Sequence, residues 1–140
     1  MTTQIGLSRD LDTCLRLRRS VFIEEQDVSE AEEVDGLDNG ALHILAAVDG
    51  IPMGTARILI DADTAKIGRV CVLAEQRGTG LGAAIMRATL DVCNEQKSLK
   101  KVVLGSQTYA LGFYEKLGFS AFGPIYLDAG IEHRDMEIAL

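Results

Sequence analysis

The 140-residue sequence predicts an α/β (α+β) fold in one domain spanning 1–140, and three observations carry that expectation. Short apolar, β-branched runs such as Val102-Val103-Leu104 alternate with stretches whose apolar residues recur every three or four positions, so strands alternate with helices. The pair Asp49-Gly50 stands between two apolar runs and is a strong signal for a tight hairpin. At 47% hydrophobic and 25% charged residues, the chain can bury one good core but has no room for two.

Taken in order, residues 4–7 read as a short strand and 11–23 as a helix, with Leu11, Leu15, Val21 and Phe22 among its apolar contacts. Strands at 42–48 and 52–60 flank the Asp49-Gly50 turn, and 65–73 continues the meander. A helix over 80–94 gathers Leu81, Ile85, Ala88 and Val92 into one buried stripe. Strand 101–104 follows, then a short helix that places Ala110, Phe113, Tyr114 and Leu117 at three-and-four spacing, with Gly118 positioned to stop it. A closing pair of strands at 125–127 and 133–138 completes the order.

Composition excludes several classes of function. A net charge of −7 leaves no basic face for a phosphate backbone, so no nucleic-acid partner is expected. The N-terminus lacks the basic-then-apolar pattern of a signal peptide, and no apolar run approaches membrane-spanning length; the expectation is a cytoplasmic protein with no membrane partner, monomeric or homodimeric. Cys14, Cys71 and Cys93 are odd in number and show no Cys-x-x-Cys spacing, which indicates neither a disulfide framework nor a metal site.

The chemistry concentrates where the strand Val70-Cys71-Val72-Leu73 breaks into Arg77-Gly78-Thr79-Gly80-Leu81-Gly82 and a helix begins. Glycines at alternate positions let the backbone turn sharply and approach a ligand closely, while the first N–H groups of the helix have no intrahelical acceptor. With the positive end of the helix dipole and Arg77, such a loop suits a diphosphate. A nucleoside triphosphate loop would need Gly-Lys-Ser/Thr, but Ala83 and Ala84 follow Gly82; a dinucleotide fingerprint would need Gly-x-Gly-x-x-Gly and an acidic residue at the next strand end. Neither is present. The bland alternative is a glycine-rich turn that only caps a helix.

Arg77, Gly80 and Gly82 form Arg-x-x-Gly-x-Gly, which resembles the coenzyme A pyrophosphate loop of the GNAT superfamily of N-acetyltransferases. Residues 107–119, read as Gln107-x-x-Ala110-x-x-Phe113-Tyr114-x-x-x-Gly118-Phe119, resemble the superfamily's Asn-x-x-Ala-x-x-Phe-Tyr-x-x-x-Gly-Phe helix, with Gln107 where many members carry Asn. Arg18-Arg19-Ser20-Val21-Phe22-Ile23-Glu24-Glu25-Gln26, the residues Glu33, Asp35, Asp38 and His43, and the tail around Tyr126 to Met136 are similar to the ElaA-like and YjcF-like branch. The resemblance implies a mixed, twisted sheet of about six to seven strands flanked by about four helices. It also implies acetyl-CoA as cofactor, and Tyr114 as the general acid that protonates the departing thiolate. The cofactor contacts it implies are Val70, Cys71, Val72, Arg77, Gly78, Thr79, Gly80, Leu81, Gly82, Gln107 and Phe113, with N–H groups of the strand before the loop serving the thioester carbonyl.

The segment 24–38 contains eight acidic residues and no basic one, in the part of the family that usually forms the acceptor wall. An amine of a small molecule or peptide would be attracted there. The candidate acceptor-binding residues are Arg18, Phe22, Glu25, Glu33, Asp35, His43 and Arg69. For Arg18 and Arg69 the choice is open between an acceptor's anionic group and a structural ion pair, and for the carboxylates between the acceptor and a solvated face. His43 and His133 read more readily as hydrogen-bonded strand residues than as bases. The expected reaction is direct transfer of acetyl to a primary amine; the other reading is a noncatalytic acyl-CoA-binding sensor or interaction module, which would have no need of Tyr114.

Overall fold

Two turns with paired positive φ angles, Asp49-Gly50 and Ala129-Gly130, set the hairpins on which the sheet is built. In the computed structural model, which describes residues 2–140, the strands are β1 (Thr3–Ser8), β2 (Leu42–Val48), β3 (Ile51–Asp61), β4 (Thr64–Val72), β5 (Lys101–Gln107), β6 (Ser120–Asp128) and β7 (Ile131–Ala139). The helices are α1 (Leu11–Arg18), α2 (Glu30–Glu33), α3 (Leu81–Glu95) and α4 (Leu111–Glu115). One seven-stranded sheet runs β1-β2-β3-β4-β5-β7-β6. Only β4 and β5 are parallel, and they pair for residues 64–67 against 101–104 before separating. Beyond that point both strands continue without each other, so the sheet opens into a notch at its centre.

Alternation along the strands assigns the two faces. Ile44 and Ala46 of β2, Ala56 and Ile58 of β3, Ala65 and Ile67 of β4, Val102 and Leu104 of β5 and Met136 of β7 make the main core with Ile85 and Met86 of α3. The approach is tight: a Cβ on Gly54 would sit 2.5 Å from Ile85 Cδ1. Leu45, on the other face of β2, joins Leu17, Val21 and Cys71 in a smaller cluster under α1. Asp10 starts α1, its carboxylate accepting the Thr13 N–H at 3.2 Å and the Thr13 hydroxyl at 2.6 Å. Among the described residues no helix is long and apolar enough to cross a membrane.

Three departures from the sequence reading shape the site. The helix expected over 11–23 is α-helical only to Arg18 and continues as wider π-type turns over Arg19–Glu25, with Gln26 N–H donating to Val21 C=O at 3.1 Å. Strand β5 runs three residues past Leu104, because Gly105, Ser106 and Gln107 pair with Asp135, Arg134 and His133 of β7. Strand β6 begins at Ser120 rather than 125, and the break that Gly123 and Pro124 suggest is absorbed as a register shift between Phe122 and Tyr126.

Candidate functional site

The notch between β4 and β5 opens, on the α1 side of the sheet, into a cleft of about 420 Å³. Its walls come from the π-type turns and following loop (Phe22, Gln26, Glu33, Asp35), from β3 and β4 (Arg57, Lys66, Arg69, Val70), from β5 and α4 (Gln107, Tyr114), and from the β6–β7 hairpin (Tyr126, His133). Strand β4 is bulged here. Thr55 faces Cys71 while Arg57 faces Gly68, so two residues of β4 oppose one of β3. Arg69 takes φ +54, unusual for a side chain with a Cβ. Its guanidinium secures that conformation by donating to the Glu33 carbonyl at 2.9 Å and to Asp35 at 3.3 Å. The bulge takes Val70 out of the regular pleat beside the notch, where its backbone faces no partner on β5.

A buried charge network fixes the adjoining wall. Arg18, 1% exposed, donates to Glu33 at 2.5 Å and to Asp38 at 2.7 Å. Arg57, also buried, reaches Asp35 with two bonds of 2.9 Å and Asp38 with one of 3.2 Å. Burial alone would lower the Arg18 pKa, but its bonds to Asp38 and Glu33 outweigh that and raise it. The Arg57 hydrogen bonds hold the Asp35 carboxyl down at about 2 against the opposing effect of burial. Asp38 is also lowered, since Arg18 and Arg57 more than offset the burial that would raise it. Three carboxylates of the acidic segment are thus neutralised by three arginines. Glu25, at the end of the π-type turns, is paired with Arg77 at 2.8 Å, and Glu30 with Arg19 at 3.2 Å.

The network has a pH signature. A carboxylate whose folded pKa lies below its unfolded value stabilises the fold above the unfolded pKa, and that contribution is lost as pH falls through the folded one. For Asp35 the window runs from near 4 down to about 2. Urea midpoints are expected to fall across that window, and Asp35→Asn should lower stability at pH 6 while reducing the slope below pH 4. An unchanged slope would show that the Arg57–Asp35 pair contributes nothing to folding.

The glycine loop, where the cofactor contacts were expected, leads into the start of α3. Gly80 caps the helix with φ +89, and the first intrahelical bond runs from Ala84 N–H to Gly80 C=O at 3.0 Å, leaving the Leu81, Gly82 and Ala83 N–H groups without helical acceptors. Gly78 also has positive φ. The Leu81 side chain is buried in the main core. Arg77 donates from Nε to the Val72 carbonyl at 3.1 Å, which ties the loop to the end of β4. Gly82 lies under the Phe113 ring, and Phe113 stands edge-to-face on Tyr114 with centroids 4.9 Å apart. Burial pushes the Tyr114 phenol up to about 12, so it is protonated across the physiological range. Burial likewise takes the Cys71 thiol to about 12, which removes it as a nucleophile.

Of the residues expected to meet an acceptor, Phe22, Glu33, Asp35 and Arg69 line the cleft. Arg18, Glu25 and His43 stand outside its wall. Arg18 lies behind Glu33 as the cation of the network, and His43 packs beside Leu7 and Leu42 with Nε2 on the Asp38 carbonyl at 2.9 Å. Cleft residues that the sequence reading passed over include Arg57, Gln26 and Tyr126. Gln26 accepts a bond of 3.0 Å from Gln107, which closes the cleft between the π-type turns and β5. The one local sign of Arg57 was a charged residue in the middle of the apolar run Thr55 to Ile60. Tyr126 appeared in the sequence only as the start of the tail similar to the branch; its place in the cleft depends on Gly105, whose missing Cβ leaves the slot that the Tyr126 hydroxyl fills.

A family model described as an acetyltransferase (GNAT) domain matches residues 14–140. An N-acetyltransferase of Bacillus subtilis named YjcF, itself uncharacterised, is 36% identical over 121 residues, covering 86% of each chain. The crystal structure of ElaA from Escherichia coli superposes with a TM-score of 0.83 at 31% identity, over 97% of both chains. That of an acyl-CoA N-acyltransferase from Pseudomonas aeruginosa does so with 0.83 at 29% identity, again over 97% of both.

Proposed function

The chain belongs to the GNAT acyltransferase family, in its ElaA-like and YjcF-like branch, and from that premise we propose that it transfers acetyl from acetyl-CoA to a primary amine by direct attack. The family binds acyl-CoA and acylates an amine acceptor; acetyl as the group moved, Tyr114 as the proton donor and the cleft as the acceptor site are our reading. The observation that carries it is that Tyr114 lines the cleft at the β4–β5 notch, while the glycine loop follows from the end of the same strand β4 and leads into α3.

The diphosphate would meet the N–H groups at 81–83, and the pantetheine arm would enter the notch along residues 70–72 of β4. Backbone N–H donors there would stabilise the oxyanion as the amine nitrogen forms its bond to the acetyl carbon. When the intermediate collapses, the C–S electron pair leaves on sulfur. A phenol held at about 12 hydrogen-bonds that thiolate, but full transfer to a thiol of ordinary pKa about 8.5 is uphill. The proton shed by the nitrogen must therefore restore the phenol in the same step. Retention of the phenol favours catalysis over a binding module.

Mixing the protein with acetyl-CoA and a panel of primary amines should release free thiol only where an acceptor is present. Tyr114→Phe should bind acetyl-CoA nearly as the parent does while turnover falls by about 10- to 1000-fold, the range of general acid help. No thiol release with any amine would sink the catalytic reading in favour of the binding module. Equal turnover for the two proteins would show that sulfur leaves without Tyr114.

A further inference from the structure

On the proposal that the cleft carries out acetyl transfer to an amine, we infer that His133 is the base that removes the ammonium proton, and that Tyr126, Asp135 and Gly105 position it. His133 is on β7, opposite Gln107 of β5 and Tyr126 of β6, and lines the same cleft as Tyr114. Its Nδ1 lies 2.7 Å from the Ile131 carbonyl. A carbonyl can only accept, so Nδ1 carries the hydrogen and the neutral ring keeps its lone pair on Nε2, the nitrogen left for the cleft. The other histidine, His43, is 7% exposed, sits outside the cleft wall, and spends Nε2 on the Asp38 carbonyl.

The ring is held as well as tautomerically set. Tyr126 stacks on it at 22° with centroids 5.9 Å apart. The Tyr126 hydroxyl donates to Asp135 Oδ1 at 2.7 Å, and this phenol lies against β5 where Gly105 offers no Cβ to obstruct it. Burial first, and then the bond to Asp135, raise the Tyr126 pKa, so it stays protonated and keeps its bond to Asp135. Two of the four cleft carboxylates are committed to arginines, Glu33 to Arg18, and Asp35 to Arg57 and Arg69, while Glu32 accepts from the Ser29 hydroxyl at 2.9 Å and Asp128 stands at the end of β6. The titratable and charged groups that share the cleft with His133 are, besides Glu33, Asp35 and Arg57, Asp128 and Tyr126 from β6, Tyr109 and Tyr114 from the turn and helix after β5, and Glu32, Lys66 and Arg69 across it.

The proton balance is complete. An acceptor R–NH3⁺ gives one proton to Nε2, and the freed nitrogen lone pair forms the C–N bond. The nitrogen's second proton, lost on collapse, replaces the one that Tyr114 gives to sulfur. His133 then returns its proton to water, so each turnover yields amide, thiol and one proton.

The test uses the best amine of the panel. His133→Gln should lower kcat/KM by about 10²- to 10⁴-fold and abolish the imidazole-controlled ascending limb of the pH profile, while the dissociation constant for coenzyme A stays within twofold of the parent. Added imidazole should rescue His133→Ala. Tyr126→Phe, which keeps the stacked ring but not the bond to Asp135, should lose less activity and shift the limb. On the parent protein, long-range ¹H–¹⁵N spectra should show the Nδ1–H tautomer for His133, a measurement that needs no variant to fold. A parent-like profile for His133→Gln, or the opposite tautomer, overturns the assignment and leaves acetyl transfer standing. A parent that acetylates no amine overturns both, and thiol release by the parent tells the two failures apart.

Discussion

Arg18→Met is expected to lower the unfolding free energy by about 3–5 kcal/mol, the cost of leaving a buried carboxylate without its cation. Arg18 and Glu33 are 1% and 3% exposed, so neither can turn to water for compensation. Methionine matches the length of the arginine stem and packs acceptably, which confines the loss to the charge. Part of the charge remains answered, since Glu33 has Arg69 at 3.5 Å and Asp38 has Arg57 at 3.2 Å. The destabilisation should therefore shrink when Glu33→Gln is added. In the Arg18→Met protein a stranded carboxyl prefers its neutral form, so its folded pKa rises and the deficit relative to the parent narrows as pH falls. Urea unfolding of the parent, the single and the double variant at pH 7 and pH 5 measures all of this. A loss below 1 kcal/mol at pH 7 would mean that the network is open to water and does not anchor the cleft wall.

That network also marks where sequence reasoning stopped. Glu33 and Arg18 are 15 residues apart, and Arg57 and Asp35 are 22 apart; nothing local announces that they meet. The segment 24–38 therefore reads in the sequence as a negative field, whereas in the fold it is the partner of cations delivered by α1, β3 and β4. The β4 bulge was equally hidden. A positive φ announces itself where glycine occupies the position, as at Gly78 and Gly80, but at Arg69 it is imposed by long-range bonds to Glu33 and Asp35. The glycine loop, the tyrosine helix and the Asp49-Gly50 hairpin were legible because each is decided within a few consecutive residues. The π-type turns over Arg19–Glu25 have no sequence signal that we can identify, yet they bring Phe22 and Gln26 to the cleft.

The glycine loop also permits the sharpest test of the cofactor proposal. Gly80→Val is expected to weaken coenzyme A binding by at least about 100-fold, roughly 2.7 kcal/mol. Gly80 holds φ +89 and ψ 1 at the cap of α3, a conformation that a β-branched residue adopts only with strain. Relief of that strain is expected to turn the N–H groups at 81–83 out of line, and those are the donors proposed for the diphosphate. Valine also adds methyl groups where the anion must approach the backbone. Folding should suffer little, because a Cβ at this position meets nothing within 4 Å and the strain can relax in an exposed loop. Calorimetric titration beside thermal melts separates the two effects: binding falls while the melting temperature of the free protein changes by a few degrees. Gly80→Ala, with less bulk at the same φ, should fall between valine and the parent. If Gly80→Val binds coenzyme A as tightly as the parent, the diphosphate does not rest on the α3 N-terminus, and the cofactor must enter the notch by another route.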